Sequence, residues 1–221
     1  RLAADGHAWK VCYSLEIGDI DSADREMAIL ERFGAASAQG FNRWLATVSQ
    51  GARAVLDGRF DDGARLMQRV LDMAGDAYRG VAALRARGIR SLLLEEQGRA
   101  DELLPDLLNQ AAESPQVPLW RAAAAATRVA MGQTEAARRD FEAVAANDFR
   151  DLPRDLMWLY VMSRLSGLVS VFGDTRRAAL LYELLLPYAD RCAIPSPTAC
   201  RGSMSCPLGV LATVLTRYDD A

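Results

Sequence analysis

A single histidine, His7, and a single lysine, Lys10, occur among 221 residues. Four cysteines, Cys12, Cys192, Cys200 and Cys206, stand without any C-x-x-C pair, so the usual structural zinc sets lack ligands. Trp9 precedes Lys10, which removes the glycine-lysine step of a phosphate-binding loop. No charge of one sign dominates: 26 basic residues oppose 29 acidic ones, net charge −3, and nucleic acid is a poor default partner. The longest apolar stretches, Leu156 to Val161 and Ala178 to Leu186, are too short or too interrupted to span a bilayer, and no basic-then-apolar leader opens the chain. The expectation is a cytoplasmic, membrane-free chain with idle thiols.

Catalytic constellations are equally thin. Gly202-Ser203-Met204-Ser205-Cys206 has no glycine two residues after Ser203, and its only possible histidine base is the distant His7. The pairs Asp61-Asp62, Glu95-Glu96 and Asp219-Asp220 diverge by about 100° if helical, so neither member converges with its neighbour on one point. No catalytic, cofactor or metal residues are assigned, and the segment is read as no enzyme.

What the sequence has is a globular balance, 51% hydrophobic against 25% charged, and a recurring corner. Gly18-Asp19-Ile20-Asp21-Ser22-Ala23 returns at Gly58, Gly98, Gly132 and Gly173, in steps of 40, 40, 34 and 41 residues. Forty-three residues further on, Thr216 to Ala221 repeats it with threonine in the glycine place. A period of this size marks arrays of helix pairs. The glycine accepts a left-handed backbone at the end of one helix, and the acidic or polar residues after it, Asp19, Asp21, Asp61, Asp101, Thr134 and Asp174, are expected to cap the next.

Five residues past the corner comes a small side chain, Ala23, Gly63, Ala137, Ala178 or Ala221, with Leu103 the exception. Four later follows a large apolar one, Met27, Met67, Leu107, Phe141 or Tyr182, and three further Leu30, Val70, Val144 or Leu185, with Gln110 out of pattern. Those spacings put one apolar stripe on each second helix. First helices are expected over Gly40 to Leu56, Tyr78 to Gln97, Pro118 to Met131 and Pro153 to Phe172, with a bend at Pro187. Proline, cysteine and small polar residues from 190 to 207 read as an irregular loop before a last helix near Leu208 to Leu215. The whole, 1–221, reads as an all-α solenoid of five helix pairs plus a partial sixth. Its start at Arg1 and its end in an uncompleted helix lead us to expect a longer parent protein.

The pattern Gly-x-x-x-x-Ala with a large apolar residue four later resembles the second half of the tetratricopeptide consensus; in the first half only Gly51 and Leu165 match. Leu184 to Arg191, Cys200 to Ser203 and Leu208 to Ala212 are similar to helical regions of large bacterial regulators. Those regulators join an ATP-binding domain, and in some a cyclase or a LuxR-like DNA-binding domain, to a tetratricopeptide-like array. The resemblance implies a right-handed superhelix serving as sensor and scaffold, with protein, peptide or other domains of the same chain as partners. Positions that face the groove in such arrays fall on Arg85, Glu95, Tyr160, Ser163 and Ser170, and elsewhere on Leu45, Val48, Ala52, Val55, Leu119, Ala122 and Val129. That implies a largely apolar inner face. Two other readings stay open: a homodimeric scaffold, and an all-helical enzyme or small-ligand receptor with a pocket inside the array.

Overall fold

The computed structural model describes every residue except Arg1, 37–39, 74–78, 195–199 and Ala221, with the side chains of Arg79, Leu84 and Asp220 also undescribed. The described residues are all-helical, eleven α-helices joined by turns and short 3-10 segments, with no strand among them. An isolated antiparallel bridge, Cys192 to Ser203, is their only sheet-like pairing. The contacts group residues 1–97 and 194–200 into one compact unit and residues 98–193 and 201–221 into another.

In the first unit α1 (Leu2–Glu16), α2 (Ile20–Ala36), α3 (Gly40–Leu56), α4 (Phe60–Met73) and α5 (Arg79–Glu96) follow one another. Each packs on the next, and α3 also touches α1 and α5. The second unit holds α6 (Ala100–Glu113), α7 (Pro118–Ala130), α8 (Thr134–Val144), α9 (Trp158–Phe172), α10 (Thr175–Leu185) and α11 (Ser205–Val214). Here too each helix packs on its successor, and α9 also touches α7 and α11.

Corners are built as the spacing requires. Gly18, Gly58, Gly98, Gly132 and Gly173 have φ of 75°, 74°, 69°, 73° and 64°. At Gly58 the glycine amide donates to the Val55 carbonyl at 3.0 Å and the next amide, of Arg59, to Ala54 at 2.9 Å. The same two bonds recur at Gly18, Gly132, Gly173 and Thr216, the paired closure of a Schellman turn that satisfies the last carbonyls of the helix. Small residues then let the helices approach. A Cβ added to Gly63 would lie 2.7 Å from Val55 Cγ2, so α3 and α4 meet at a distance no side chain there permits.

Most of the stripe residues form the core, while Met67 is only half-buried. Leu30, Val70, Phe141 and Leu185 are fully buried, and Met27, Leu107, Val144 and Tyr182 nearly so. Gln110 also occupies its stripe position buried, with Nε2 donating to Glu113 Oε2 at 3.1 Å, which removes the cost of an unpaired buried amide. Of the three tryptophans placed early in first helices, Trp44 and Trp158 are buried and Trp120 is half-buried.

Three local expectations are corrected. Helix α9 begins at Trp158, five residues after Pro153: Asp155 folds the intervening segment into a turn by accepting the Met157 amide at 2.9 Å. Helix α11 starts earlier than Leu208, because Pro207 falls in its first turn, where a missing amide donor is harmless. Asp21, Asp61, Asp101 and Thr134 fall within the first turn of their helices and not at the cap; Arg99 and Gln133 hold the cap of α6 and α8 with no side-chain bond to the helix amides, whereas Asp19 accepts the Ser22 amide and Asp174 the Arg177 amide, both at 2.9 Å. The bend expected at Pro187 is present: helix α10 ends at Leu185, and Pro187 sits in a 3-10 turn, Leu186–Tyr188. Tyr78, Pro195, Pro197 and Ala221 lie outside the described residues.

Candidate functional site

The sequence-derived groove residues occupy different settings. Arg85, on α5, is half-buried, and burial pushes its guanidinium below its ordinary range while the nearby Cys12 thiol acts in the opposite sense. Glu95 lies half-exposed in the last turn of the same helix. On α9, Tyr160 is only 6% exposed; its hydroxyl accepts from Arg164 at 3.0 Å, beneath a guanidinium 5.3 Å from the ring centre. Ser163 donates to the Tyr160 carbonyl at 2.8 Å, and Ser170, half-buried, gives its carbonyl to the Gly173 corner. Tyr160 and Ser163 thus share one turn and bond locally.

The apolar inner face does not form as a surface. Leu45, Val48, Ala52, Val55, Leu119 and Ala122 are each buried, and Val129 is half-buried. Their methyl and methylene groups fill the space between helices, where apolar burial is worth about 25 cal/mol per Å². What lies open in the first unit is a polar groove. It has a volume of about 500 Å³ and runs between α2 and α4 with α3 as its floor.

Its two walls carry opposite charge. Asp24, Ala28 and Glu31 follow one another along α2 at helical spacing; Asp62, Arg65, Leu66 and Arg69 do so along α4, and Arg59 stands at the corner. From the floor, Arg53 Nε donates to Asp24 at 2.8 Å and NH1 to Asp57, while Gln50 Nε2 donates to Glu31 at 2.6 Å. Arg59 donates to Asp57 and Asp62, each at 3.0 Å, and Arg65 to Asp62 at 2.6 Å. Arg65 and then Arg59, by hydrogen bonding, hold the Asp62 carboxyl below its usual value; Asp24 raises the Arg53 guanidinium above its own. Arg69, exposed on the basic wall, has no partner among the described residues. The sequence reading missed this groove: the spacing of three and four that joins Asp62, Arg65 and Arg69 is a signal that could have found one wall, but only the structure shows that Asp24, Glu31, Gln50 and Arg53 face it.

The second unit has an apolar cleft of about 140 Å³, lined by Val117, Pro118, Leu119, Leu152, Met157 and Trp158 among others. Ser203 and Ser205 hold each other at the start of α11: Ser203 Oγ accepts the Ser205 amide at 3.1 Å, and Ser205 Oγ donates to the Ala189 carbonyl at 3.0 Å. His7 is bonded to Glu26. None of the four cysteines is in a disulfide. Among the described residues no group of three or more His, Cys, Asp or Glu is placed to hold a metal, and no helix is long and apolar enough to cross a membrane.

No family model matches the chain, and neither a curated protein nor a solved structure does.

Proposed function

We propose that the chain is a non-catalytic protein-binding segment, a tetratricopeptide-like solenoid within a larger bacterial signalling or transcriptional regulator, and that its binding surface is the groove of the first unit. The repeated Gly corners and, within each unit, the packing of each helix on its successor support the repeat reading. One observation carries the binding role: an open groove with an acidic wall, a basic wall and an Arg69 that has no partner among the described residues. A groove of that kind suits an extended or helical peptide whose acidic side chains meet Arg65 and Arg69 and whose donors meet Glu31. Rim charges of this sort set orientation and encounter rate more than affinity, so binding is weak and salt-dependent.

The test is selection of a random peptide library displayed on phage against the chain. Enrichment of acid-bearing sequences, lost when Arg65 and Arg69 are both changed to Glu, supports the proposal. Failure to enrich any sequence, or enrichment indifferent to the double reversal, overturns it.

A small-ligand receptor is favoured by the apolar cleft alone, whose size matches a single aromatic ring. A thermal shift with benzene or indole, abolished by Leu119→Trp, would support that reading; an unchanged midpoint with both compounds removes it.

A further inference from the structure

Helix α1 is apolar on two opposite sides. Ala4, Ala8, Val11, Cys12 and Leu15 are buried on the side turned to α2 and α3. On the other side Leu2, Trp9 and Tyr13 are 88%, 58% and 59% exposed. Between them sits Gly6, at which an added Cβ would meet nothing within 4 Å. A helix apolar all round is ordinarily covered all round.

The exposed residues follow a seven-residue frame. Leu2 and Trp9 take the d positions and Gly6 and Tyr13 the a positions, the seam of a two-stranded coiled coil. In that frame Asp5 is a g residue and Lys10 the e residue five places on. When two such helices pair in parallel, g of one strand meets the following e of the other, where opposite charges set partner and orientation. Asp5 has no partner among the described residues. Lys10 is 63% exposed and, among the described residues, reaches only Glu26, at 3.4 Å. Antiparallel pairing would instead set Asp5 beside Asp5 and Lys10 beside Lys10 of the other copy. The one lysine of the chain and an otherwise unused aspartate therefore flank an uncovered apolar seam in the register that parallel pairing requires.

We propose that a second copy of this chain docks on this face, α1 against α1 in parallel about a two-fold axis, with Asp5 of each copy paired to Lys10 of the other. The occupant is committed by the charges: the seam alone accepts any apolar helix, whereas reciprocal Asp5 and Lys10 contacts arise from self-pairing. Three large side chains per copy make a small interface, below the roughly 1,200 Å² of stable complexes, so the dimer is concentration-dependent. Gly6 leaves one layer of the seam unfilled.

Sedimentation equilibrium over a concentration series tests the proposal, with circular dichroism confirming helicity of each variant. The wild-type chain shows a monomer-dimer equilibrium. Trp9→Ala weakens it by about tenfold or more, as loss of a central aromatic does. Gly6→Leu strengthens it by about tenfold through the filled layer. Asp5→Lys and Lys10→Glu each weaken self-association, and a mixture of the two single variants associates as a heterodimer more tightly than either alone. A wild-type chain that stays monomeric up to its solubility limit, self-association unmoved by Trp9→Ala, or single variants that fail to complement each other overturns it.

Discussion

Gly173 and Thr216 hold the same left-handed backbone, φ 64° and 58°, although one has no side chain and the other is β-branched. Both close the same pair of bonds. The amide after Gly173 donates to Val169 at 3.2 Å, and the amide after Thr216 to Ala212 at 2.9 Å. Threonine therefore accepts a conformation that costs a branched residue about 1 kcal/mol or more.

Replacing Thr216 by Gly is expected to stabilise the chain by about 0.5–1 kcal/mol, and Gly58→Ala to destabilise it by about 1 kcal/mol. No atom lies within 4 Å of a Cβ at Gly58, so the second effect isolates backbone strain from crowding. Urea midpoints of the two variants measure both. Equal midpoints for Thr216→Gly and wild type would remove the strain argument.

Strain is concentrated at Asn147, Asp148 and Phe149, three consecutive residues with φ of 49°, 53° and 66°. Asp148 accepts from both terminal nitrogens of Arg176, at 3.0 and 2.8 Å, and Phe149 is buried. This bidentate pair and the buried ring fix the turn. Asp148→Ala, which loses the pair and keeps a Cβ, should destabilise more than Asp148→Gly, which loses the pair and relieves the backbone by about 1 kcal/mol. Thermal midpoints in the reverse order would sink this account.

Acid should weaken the fold through specific carboxylates. Hydrogen bonds from Ser22 lower Asp19, the bond with His7 lowers Glu26, Arg65 and Arg59 lower Asp62, and Arg176 lowers Asp148. Between those depressed folded values and the unfolded value of about 4, the unfolded chain binds more protons, so stability rises with pH. The contribution is complete above the unfolded values and disappears as pH falls through the folded ones. Urea midpoints flat across that window would contradict the assignment. These groups are half-buried and still within reach of solvent ions, so added salt should shrink the slope.

The thiols should separate by reactivity. Burial pushes Cys12 up to about 12, with Arg85 acting against it, while Cys206 is exposed. A neutral-pH disulfide reagent should modify Cys206 quickly and Cys12 only after denaturation. Peptide mapping that finds Cys12 labelled in the folded chain as fast as Cys206 would refute this.

The sequence showed the fold most clearly where it was written locally. Gly40 to Leu56 is read correctly to both ends, because Gly58 stops the helix and its own spacing of apolar residues fixes its faces. Pro118 gives the start of α7 for the same reason. The start of α9 was not legible: its boundary depends on Asp155 capturing the Met157 amide, a choice among several polar residues. The binding surface was less legible still. Leu45, Val48 and Ala122 have the chemistry of either a groove lining or a core, and only their neighbours decide. The groove in the first unit joins residues from three helices, so no single stretch of sequence contains it.

Five of the six corners close through bonds reaching back no more than five residues, from Asp19 to Ser14, Arg59 to Ala54, Gln133 to Arg128, Asp174 to Val169 and Arg217 to Ala212. Short-range closure carries little loop entropy and forms quickly. During synthesis each bend can therefore set as soon as its own codons have been translated, before the apolar side of the following helix exists to receive it. The growing chain would then expose one greasy flank at a time near the ribosome, which limits the sticky surface available to neighbouring nascent chains.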